Sequence, residues 1–255
     1  MIKRLGMLII IVLGLCSAYG QIYHYKLNDK NSGREAAGPE SIVLSSDVLF
    51  NGEPTIRFTL NKTDKLVNNG KRAEISFKAE QSIPVERWYA FNIWLPESYA
   101  TDPVPESVVQ WHASPDFSLG EDYRSPPLAL FIQDGLWQLN TRWASNPVND
   151  NNNISGKMIG DFGKAETGKW TQFVFHIRFS YKSDGFVQVW KNGERIYSVV
   201  GPNYYNDKVG PYFKFGIYKW EWANENLSTN INRRVLYFGD VSFGDENASI
   251  DDFIK

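Results

Sequence analysis

Short runs of alternating apolar and polar residues are the feature that most constrains the fold of this chain. Successive side chains of a β-strand point to opposite faces, so such runs predict strands that are buried on one face. The clear runs are residues 72–78, 89–95, 108–113, 129–133, 173–181, 185–190, 212–220 and 234–243. No long helical pattern and no internal repeat accompany them, which predicts an all-β chain.

Turn residues separate these runs. Asn192-Gly193 lies between two apolar stretches and predicts a tight hairpin. Residues 145–168, which are rich in asparagine, are interpreted as one long polar loop. No composition break marks a linker, and β-sandwiches of this length commonly form one domain. We therefore predict a single β-sandwich over residues 21–255.

The first 20 residues have the pattern of a secretory signal peptide. Lys3 and Arg4 precede an apolar stretch at residues 8–15 that is too short to span a bilayer. Small residues then favour cleavage after Gly20, and the single cysteine, Cys16, lies within the segment. Lipid anchoring through Cys16 is the weaker alternative, because the preceding leucine is larger than such a signal requires. We expect a secreted or periplasmic protein.

Charge limits the partners of the mature chain. Without Lys3 and Arg4 it carries 25 basic and 29 acidic residues, which argues against bulk electrostatic binding to nucleic acid or to an anionic membrane. We expect a monomer that binds no nucleic acid and does not insert into a membrane. A locally basic groove is compatible with this balance.

Three of the runs carry chemically capable side chains opposite their apolar residues. Ordinary solvent-facing sheet surfaces offer an alternative explanation, but they are usually rich in lysine, glutamate and threonine. Here the polar faces hold Arg72 and Glu74, Gln110 and His112, and Tyr212, Lys214, Tyr218 and Trp220. These residue types suit a polar ligand with flat faces, such as a sugar chain, and we expect them to share one concave face.

The same strings carry a resemblance to a known family. RAEI (72–75), QWH (110–112) and YFKFGIY (212–218) resemble, in this order, the three motifs of the jelly-roll polysaccharide lyases, among them the family 7 alginate lyases. The chain resembles more closely the group that contains heparin lyase I-type and glucuronan lyases. There PPLALFI (126–132), GKW (168–170) and VWKNGE (189–194) also recur. The resemblance implies a β-jelly roll of two antiparallel sheets with a concave substrate groove.

It also implies a polysaccharide lyase that cleaves a uronic-acid polymer by β-elimination. Trp111 stands where the alginate enzymes carry isoleucine or valine, which argues against alginate. The closer resemblance implies glucuronan or a related glucuronate polymer. Alginate and glycosaminoglycans remain open as substrates.

The implied chemistry gives each motif residue a role. Arg72 and Gln110 suit the C6 carboxylate, which must gain charge in the transition state. Tyr218 suits the base and the acid if nearby cations lower its pKa, and Lys214 lies on its face. His112 suits either the base or a further carboxylate contact. In glucuronate the C5 proton and O4 leave from the same side, so Tyr218 could make both transfers, whereas guluronate or iduronate would require His112.

A wider set of side chains is assigned to substrate binding. It comprises Lys214, Glu74, Arg142, Trp143, His176, Tyr212 and Trp220. Glu74 is expected to act by holding Arg72 in place. His176 shares the polar face of its run with Arg178 and is a candidate for the same groove.

The mechanism needs no cofactor and no catalytic metal. A structural calcium site built from scattered oxygens remains open, although no loop of the EF-hand type occurs. The alternative function is a non-catalytic, lectin-like carbohydrate-binding protein, which would need only the fold and its aromatic groove. A glycoside hydrolase would need two carboxylates about 5–9 Å apart across the scissile bond, and the polar faces offer no such pair.

Overall fold

The computed structural model describes residues 20–224, 226, 227, 229 and 231–254. Apart from Gly20, the expected signal peptide, including Cys16, lies outside the described residues. The strands are β1 (Ile22–His24), β2 (Ser32–Ala36), β3 (Ile42–Phe50), β4 (Glu53–Asn61), β5 (Arg72–Phe77), β6 (Val85–Trp94), β7 (Glu106–His112), β8 (Leu128–Gln133), β9 (Leu136–Trp143), β10 (Gly156–Lys164), β11 (Trp170–Phe179), β12 (Phe186–Lys191), β13 (Glu194–Val200), β14 (Tyr212–Tyr218) and β15 (Arg233–Gly244). Short 3₁₀ turns cover Pro39–Ser41, Phe117–Leu119, Trp220–Ala223 and Ile250–Asp252.

Two antiparallel sheets pack face to face as a β-jelly-roll sandwich, which confirms the predicted fold class. One sheet has the order β13-β12-β11-β6-β15-β4-β3, with β1 also paired to β15. The other has the order β10-β9-β8-β7-β14-β5-β2. Because β5, β7 and β14 are neighbours in this second sheet, the three motif strands lie side by side at its centre.

The core lies between the sheets and is rich in aromatic residues. Phe213, Phe215 and Ile217 of β14 point into it and are buried. Trp111 of β7 is also fully buried, against Phe175 of the opposite sheet at a ring separation of 4.8 Å. The inward faces predicted from alternation are therefore the inward faces observed, and the polar residues between them are displayed on the outer face of the second sheet.

All eight predicted runs overlap strands, but the predicted loop over residues 145–168 is wrong in part. Residues 156–164 form β10, an edge strand that pairs with β9. Burial alternates along β10, but its three glycines and the exposed Ile159 conceal this period in the sequence. The Asn192-Gly193 hairpin is present, with φ values of 51° and 84°. The described residues contain no helix long and apolar enough to cross a membrane.

Candidate active site

A groove with a volume of about 800 Å³ runs over the outer face of the second sheet. Residues from β2, β5, β7, β8, β9 and β14 line it, together with the loops beside them. Among the predicted site residues, it brings together Arg72, Gln110, His112, Arg142, Tyr212, Lys214, Tyr218 and Trp220. Three of these motif residues are almost fully buried at the floor of the groove, namely Arg72, Gln110 and Lys214.

Strand register sets the order of these side chains along the groove. In β14, Tyr212 lies opposite His112, Lys214 opposite Gln110, and Tyr218 opposite Arg72. The row therefore runs from His112 beside Tyr212, through Gln110 beside Lys214, to Arg72 beside Tyr218. The register also shifts between β14 and β7 near Gly216, which has a φ of +138°.

Gly216 is required at this position for steric reasons. A Cβ there would lie 2.2 Å from the carbonyl oxygen of Ala73, so the two strands could not approach each other with a larger residue. Positive φ is also strained for residues other than glycine. The glycine thus keeps β14 against β5 and holds Tyr218 over Arg72.

The Arg72 guanidinium is held between two carboxylates. Its Nη1 donates to Glu35 Oε2 at 3.1 Å and to Glu74 Oε2 at 3.3 Å. Its Cζ lies 4.0 Å from the centroid of the Tyr218 ring. The expected role of Glu74, holding Arg72 in place, agrees with these contacts, but Glu74 is only 1% exposed and does not line the groove. Glu74 therefore orients Arg72 and does not bind substrate itself.

Lys214 and Gln110, the other polar groups of the floor, also contact Glu35 or Glu74. Lys214 Nζ lies 2.7 Å from Glu35 Oε2 and 3.5 Å from Glu74 Oε2. Gln110 Nε2 donates to Glu74 Oε1. Two cations and two carboxylates thus alternate in one closed cluster, and its formal charge is zero.

His112 is neutral and has a defined tautomer. Its Nδ1 lies 3.0 Å from the carbonyl oxygen of Ala113, and a carbonyl can only accept, so Nδ1 carries the proton. The pKa of His112 is lowered to about 4, mainly by burial. The charges of Lys214 and Arg72 contribute to this lowering, whereas the Ala113 carbonyl and Glu35 oppose it. The unprotonated Nε2 is consequently able to accept a proton at neutral pH.

Tyr218 differs from the sequence expectation. Burial raises the pKa of its hydroxyl above the ordinary value, and Arg72 only partly opposes this effect. Glu74 and Glu35 raise it as well, because they cancel the cations that were expected to lower it. The expectation of a lowered pKa was wrong for the free site, and Tyr218 carries its proton at neutral pH.

Outside the floor of the groove, positive charge is less fully balanced by carboxylates. Arg142 of β9 lines the groove and forms no ion pair with any described residue, and its buried Nε lacks a hydrogen-bond partner there. Tyr212 stacks on His112 with ring centroids 5.1 Å apart. Trp220 lies 5.8 Å from the Tyr218 ring, in a position to contact a sugar. In the described part of the chain, no group of three or more His, Cys, Asp or Glu residues could hold a metal ion.

Two predicted substrate contacts lie outside the groove. His176 belongs to β11 of the other sheet, where it stacks on Trp88 at 3.9 Å and bonds Glu86 at 2.7 Å. The alternation in its run correctly predicts that His176 lies on an outer, polar face. A sandwich has one such face on each sheet, and alternation does not show which of the two carries the residue. Trp143 points to the opposite face of β9 from Arg142 and packs over Gly156, where an added Cβ would lie 2.2 Å from its ring.

Several groove residues were missed from the sequence. Glu35 lies on the short edge strand β2, in register with Glu74, and its run shows no alternation that could have revealed it. Asn68 occupies a tight turn with a φ of 47° and donates to Glu35 at 3.1 Å. Tyr123, which is 67% exposed, stands at the groove rim with Phe117. Their positions follow from strand register and loop conformation, which no local pattern encodes.

A sandwich with this set of side chains over a long groove has the features of an enzyme that acts on a polysaccharide. The sequence model of the family described as polysaccharide lyase matches residues 16–242. The chain therefore belongs to the polysaccharide lyase family, which confirms the resemblance noted in the motifs and the expectation of a lyase. No protein with a curated function matches the sequence.

Solved structures support the fold. The endo-β-1,4-glucuronan lyase of the fungus Trichoderma reesei superposes with a TM-score of 0.68 at 19% identity, over 88% of this chain and 90% of that one. The family 7 alginate lyase A1-II′ in complex with a product gives a TM-score of 0.57 at 13% identity, over 82% and 85% of the two chains. Alginate lyase AlyC3 gives 0.53 at 14% identity, over 75% of each chain. At these identities the likeness shows a shared architecture.

Proposed function

We propose that this protein is an exported lyase that cleaves a glucuronate-containing polysaccharide, such as glucuronan, by β-elimination. The observation that carries the proposal is the placement of the Tyr218 ring 4.0 Å over the buried Arg72 guanidinium, inside a groove long enough for a sugar chain. A cation beside a proton donor meets the two main demands of the reaction.

The substrate's C6 carboxylate would lie between Arg72 and Gln110. Removal of the C5 proton places negative charge on that carboxylate, and fixed donors stabilise the charge without having to reorganise. The C4–O4 bond then breaks, a C4–C5 double bond forms, and O4 takes up a proton.

We assign the two proton transfers, one from C5 and one to O4, from the protonation states of His112 and Tyr218 in the free protein. Tyr218 carries its proton and is assigned as the donor to O4, because burial raises its pKa. Neutral His112 is assigned as the acceptor of the C5 proton through Nε2. A His112→Gln variant that keeps most of its activity on glucuronan would give both transfers to Tyr218, which a same-side elimination permits.

The choice of glucuronate rests on likeness. The T. reesei protein, a glucuronan lyase, superposes with a higher TM-score than the two alginate lyases. The VWKNGE string points in the same direction. Trp111 no longer contributes, because it is buried in the core and cannot touch a substrate.

The competing functions make different demands. A hydrolase needs a carboxylic acid that stays protonated, and the carboxylates of the groove do not supply one. Burial opposes the ionisation of Glu35, but Lys214 and Arg72 outweigh it and hold the pKa of that carboxyl below its usual value. A lectin would bind polysaccharide without cleaving it.

The deciding experiment incubates the purified mature chain with glucuronan, alginate, heparin, hyaluronan and ulvan in parallel. The unsaturated uronate left by β-elimination absorbs in the ultraviolet, and we expect it from glucuronan first. Binding without this product would favour the lectin, and reducing ends without it would favour the hydrolase. Sequencing the amino terminus of protein recovered outside the cytoplasm tests export, which predicts Gln21 as the first residue.

A further inference from the structure

A carboxylate already occupies the cation cluster of the groove. Glu35 Oε2 accepts from Asn68 Nδ2 at 3.1 Å, from Arg72 Nη1 at 3.1 Å and from Lys214 Nζ at 2.7 Å. Three donors on one oxygen are the contacts that a bound ligand carboxylate would be given. Here they are made by a side chain of the protein itself.

This carboxylate changes what an anionic substrate meets. Arg72 and Lys214 carry two positive charges, and Glu35 and Glu74 carry two negative ones. A uronate carboxylate that reaches Arg72 would be the third anion sharing two cations. Charged groups at such short separations interact by several kcal/mol even at an effective dielectric constant of about 20. Substrate and Glu35 must therefore compete.

The two glutamates are not equally able to give way. Glu74 lies on the central strand β5, its side chain is 1% exposed, and it also accepts from Gln110. Glu35 lies on the edge strand β2, which pairs with β5 alone, and its side chain is 17% exposed and lines the groove. Each glutamate has three polar partners, but only Glu35 could move from them directly into water.

We propose that Glu35 is a resident competitor that holds Arg72 and Lys214 in place in the free protein and yields them to the C6 carboxylate of the substrate. This inference rests on the proposed function, because it names the substrate group that displaces Glu35. Glu35 then limits the affinity for uronates. It keeps Arg72 and Lys214 oriented, but uronates bind more weakly than they would if the two cations were free.

The test measures binding apart from turnover. Calorimetric titrations use β-1,4-linked oligoglucuronate and, as the neutral probe, cello-oligosaccharide of equal length, which differs only in having CH₂OH in place of the carboxylate. Both are titrated into Tyr218→Phe protein, so that cleavage does not interfere, with and without Glu35→Gln. Glu53→Gln is the matched control, because Glu53 is exposed on β4 of the other sheet and its change alters the net charge equally.

Glu35→Gln should tighten oligoglucuronate binding roughly tenfold or more, since one competing charge is removed from within a few ångströms. Cello-oligosaccharide binding and the Glu53→Gln variant should show no such change. Glu35→Ala, which leaves no side-chain acceptor, should tighten uronate binding as well and serves as the second variant if the Glu35→Gln protein is unstable.

Unchanged or weaker uronate binding in both Glu35 variants would overturn the proposal and make Glu35 a purely structural partner of the cations. Equal tightening of the binding of both oligosaccharides would overturn the proposal too, because the carboxylate of the ligand would then be irrelevant. A lack of oligoglucuronate binding in every variant would also overturn it. The proposed function fails on a separate observation, the absence of unsaturated product from wild-type protein.

Discussion

Replacing Tyr218 by phenylalanine removes only the hydroxyl group that the proposed mechanism uses as the proton donor. The phenylalanine ring keeps the contacts with Arg72, at 4.0 Å, and with Trp220, at 5.8 Å. The alternation of β14 is also unchanged, so the variant should fold with a stability within about 1 kcal/mol of wild type. Only the proton donor is lost.

The expected loss in rate follows from what remains in the groove. The charged groups that act on Tyr218 are Arg72, Glu35 and Glu74. The Arg72 guanidinium does not release its proton at neutral pH, and the two carboxylates are its ion-pair partners, so none of the three can replace the hydroxyl as a proton donor. Losing one general-acid transfer costs about 10²–10⁴ in rate. On an energy scale this is about 3–5 kcal/mol of barrier. Because Arg72 and Gln110 still hold the carboxylate, the loss should appear in kcat with little change in KM.

The assay follows unsaturated uronate formed from glucuronan over a range of substrate concentrations that reaches saturation, so that kcat and KM are both obtained. Tyr237→Phe is the control, since the same change is made on β15 of the opposite sheet. It should retain wild-type activity. A Tyr218→Phe protein with more than a tenth of the wild-type kcat would refute the role of the hydroxyl, and a raised KM at unchanged kcat would reduce it to a binding contact.

Other expected outcomes test the surroundings of this residue. An added methyl in Gly70→Ala would lie 2.6 Å from the Tyr218 ring, so kcat should fall at least tenfold; Gly38→Ala, which meets nothing within 4 Å, should not change it. Burial lowers the pKa of His112 to about 4 in the folded protein, so the unfolded chain binds a proton first as the pH falls from about 6.5. The urea-unfolding free energy should therefore drop by up to about 3 kcal/mol between pH 7 and pH 4 at this site, and His112→Gln should remove that part of the drop. An equal drop in the variant would contradict the lowered pKa. Arg142→Met should raise KM roughly tenfold with kcat preserved, as loss of one exposed carboxylate contact implies, and an unchanged KM would exclude Arg142 from substrate binding.

The faces of the central strands could be predicted because β-structure has a period of two. Arg72, Gln110, Lys214 and Tyr218 had to stand opposite their apolar neighbours, and the motifs placed them in one site. His176 shows the limit of this reasoning. Period two identifies an outer face but not the sheet to which it belongs, and pairing with β6 and β12 places His176 on the far side.

Glu35 could not be predicted for a related reason. Its strand has five residues, carries no apolar alternation and reaches the site only because it pairs with β5 in register with Glu74. Pairing between distant segments is set by the whole sheet and not by local sequence. The wrong direction expected for the pKa of Tyr218 follows from the same omission. Counting the cations near a phenol gives the opposite sign when the anions that neutralise them are unknown.

The electrostatics of the groove therefore divide into two parts. At its floor, Arg72 and Lys214 are balanced by Glu35 and Glu74, so this cluster contributes precise geometry and little long-range attraction for an acidic polymer. Arg142, without an ion-pair partner in the described part of the chain, contributes attraction that is felt over the Debye length of about 8 Å at physiological ionic strength. In an acidic protein this separation has a consequence for selectivity. In the proposed mechanism, capture of the polymer depends on unpaired charge at the side of the groove, whereas cleavage depends on whether a carboxylate can enter the balanced cluster beside Tyr218. A neutral sugar chain satisfies neither condition, and an anion of the wrong shape satisfies only the first.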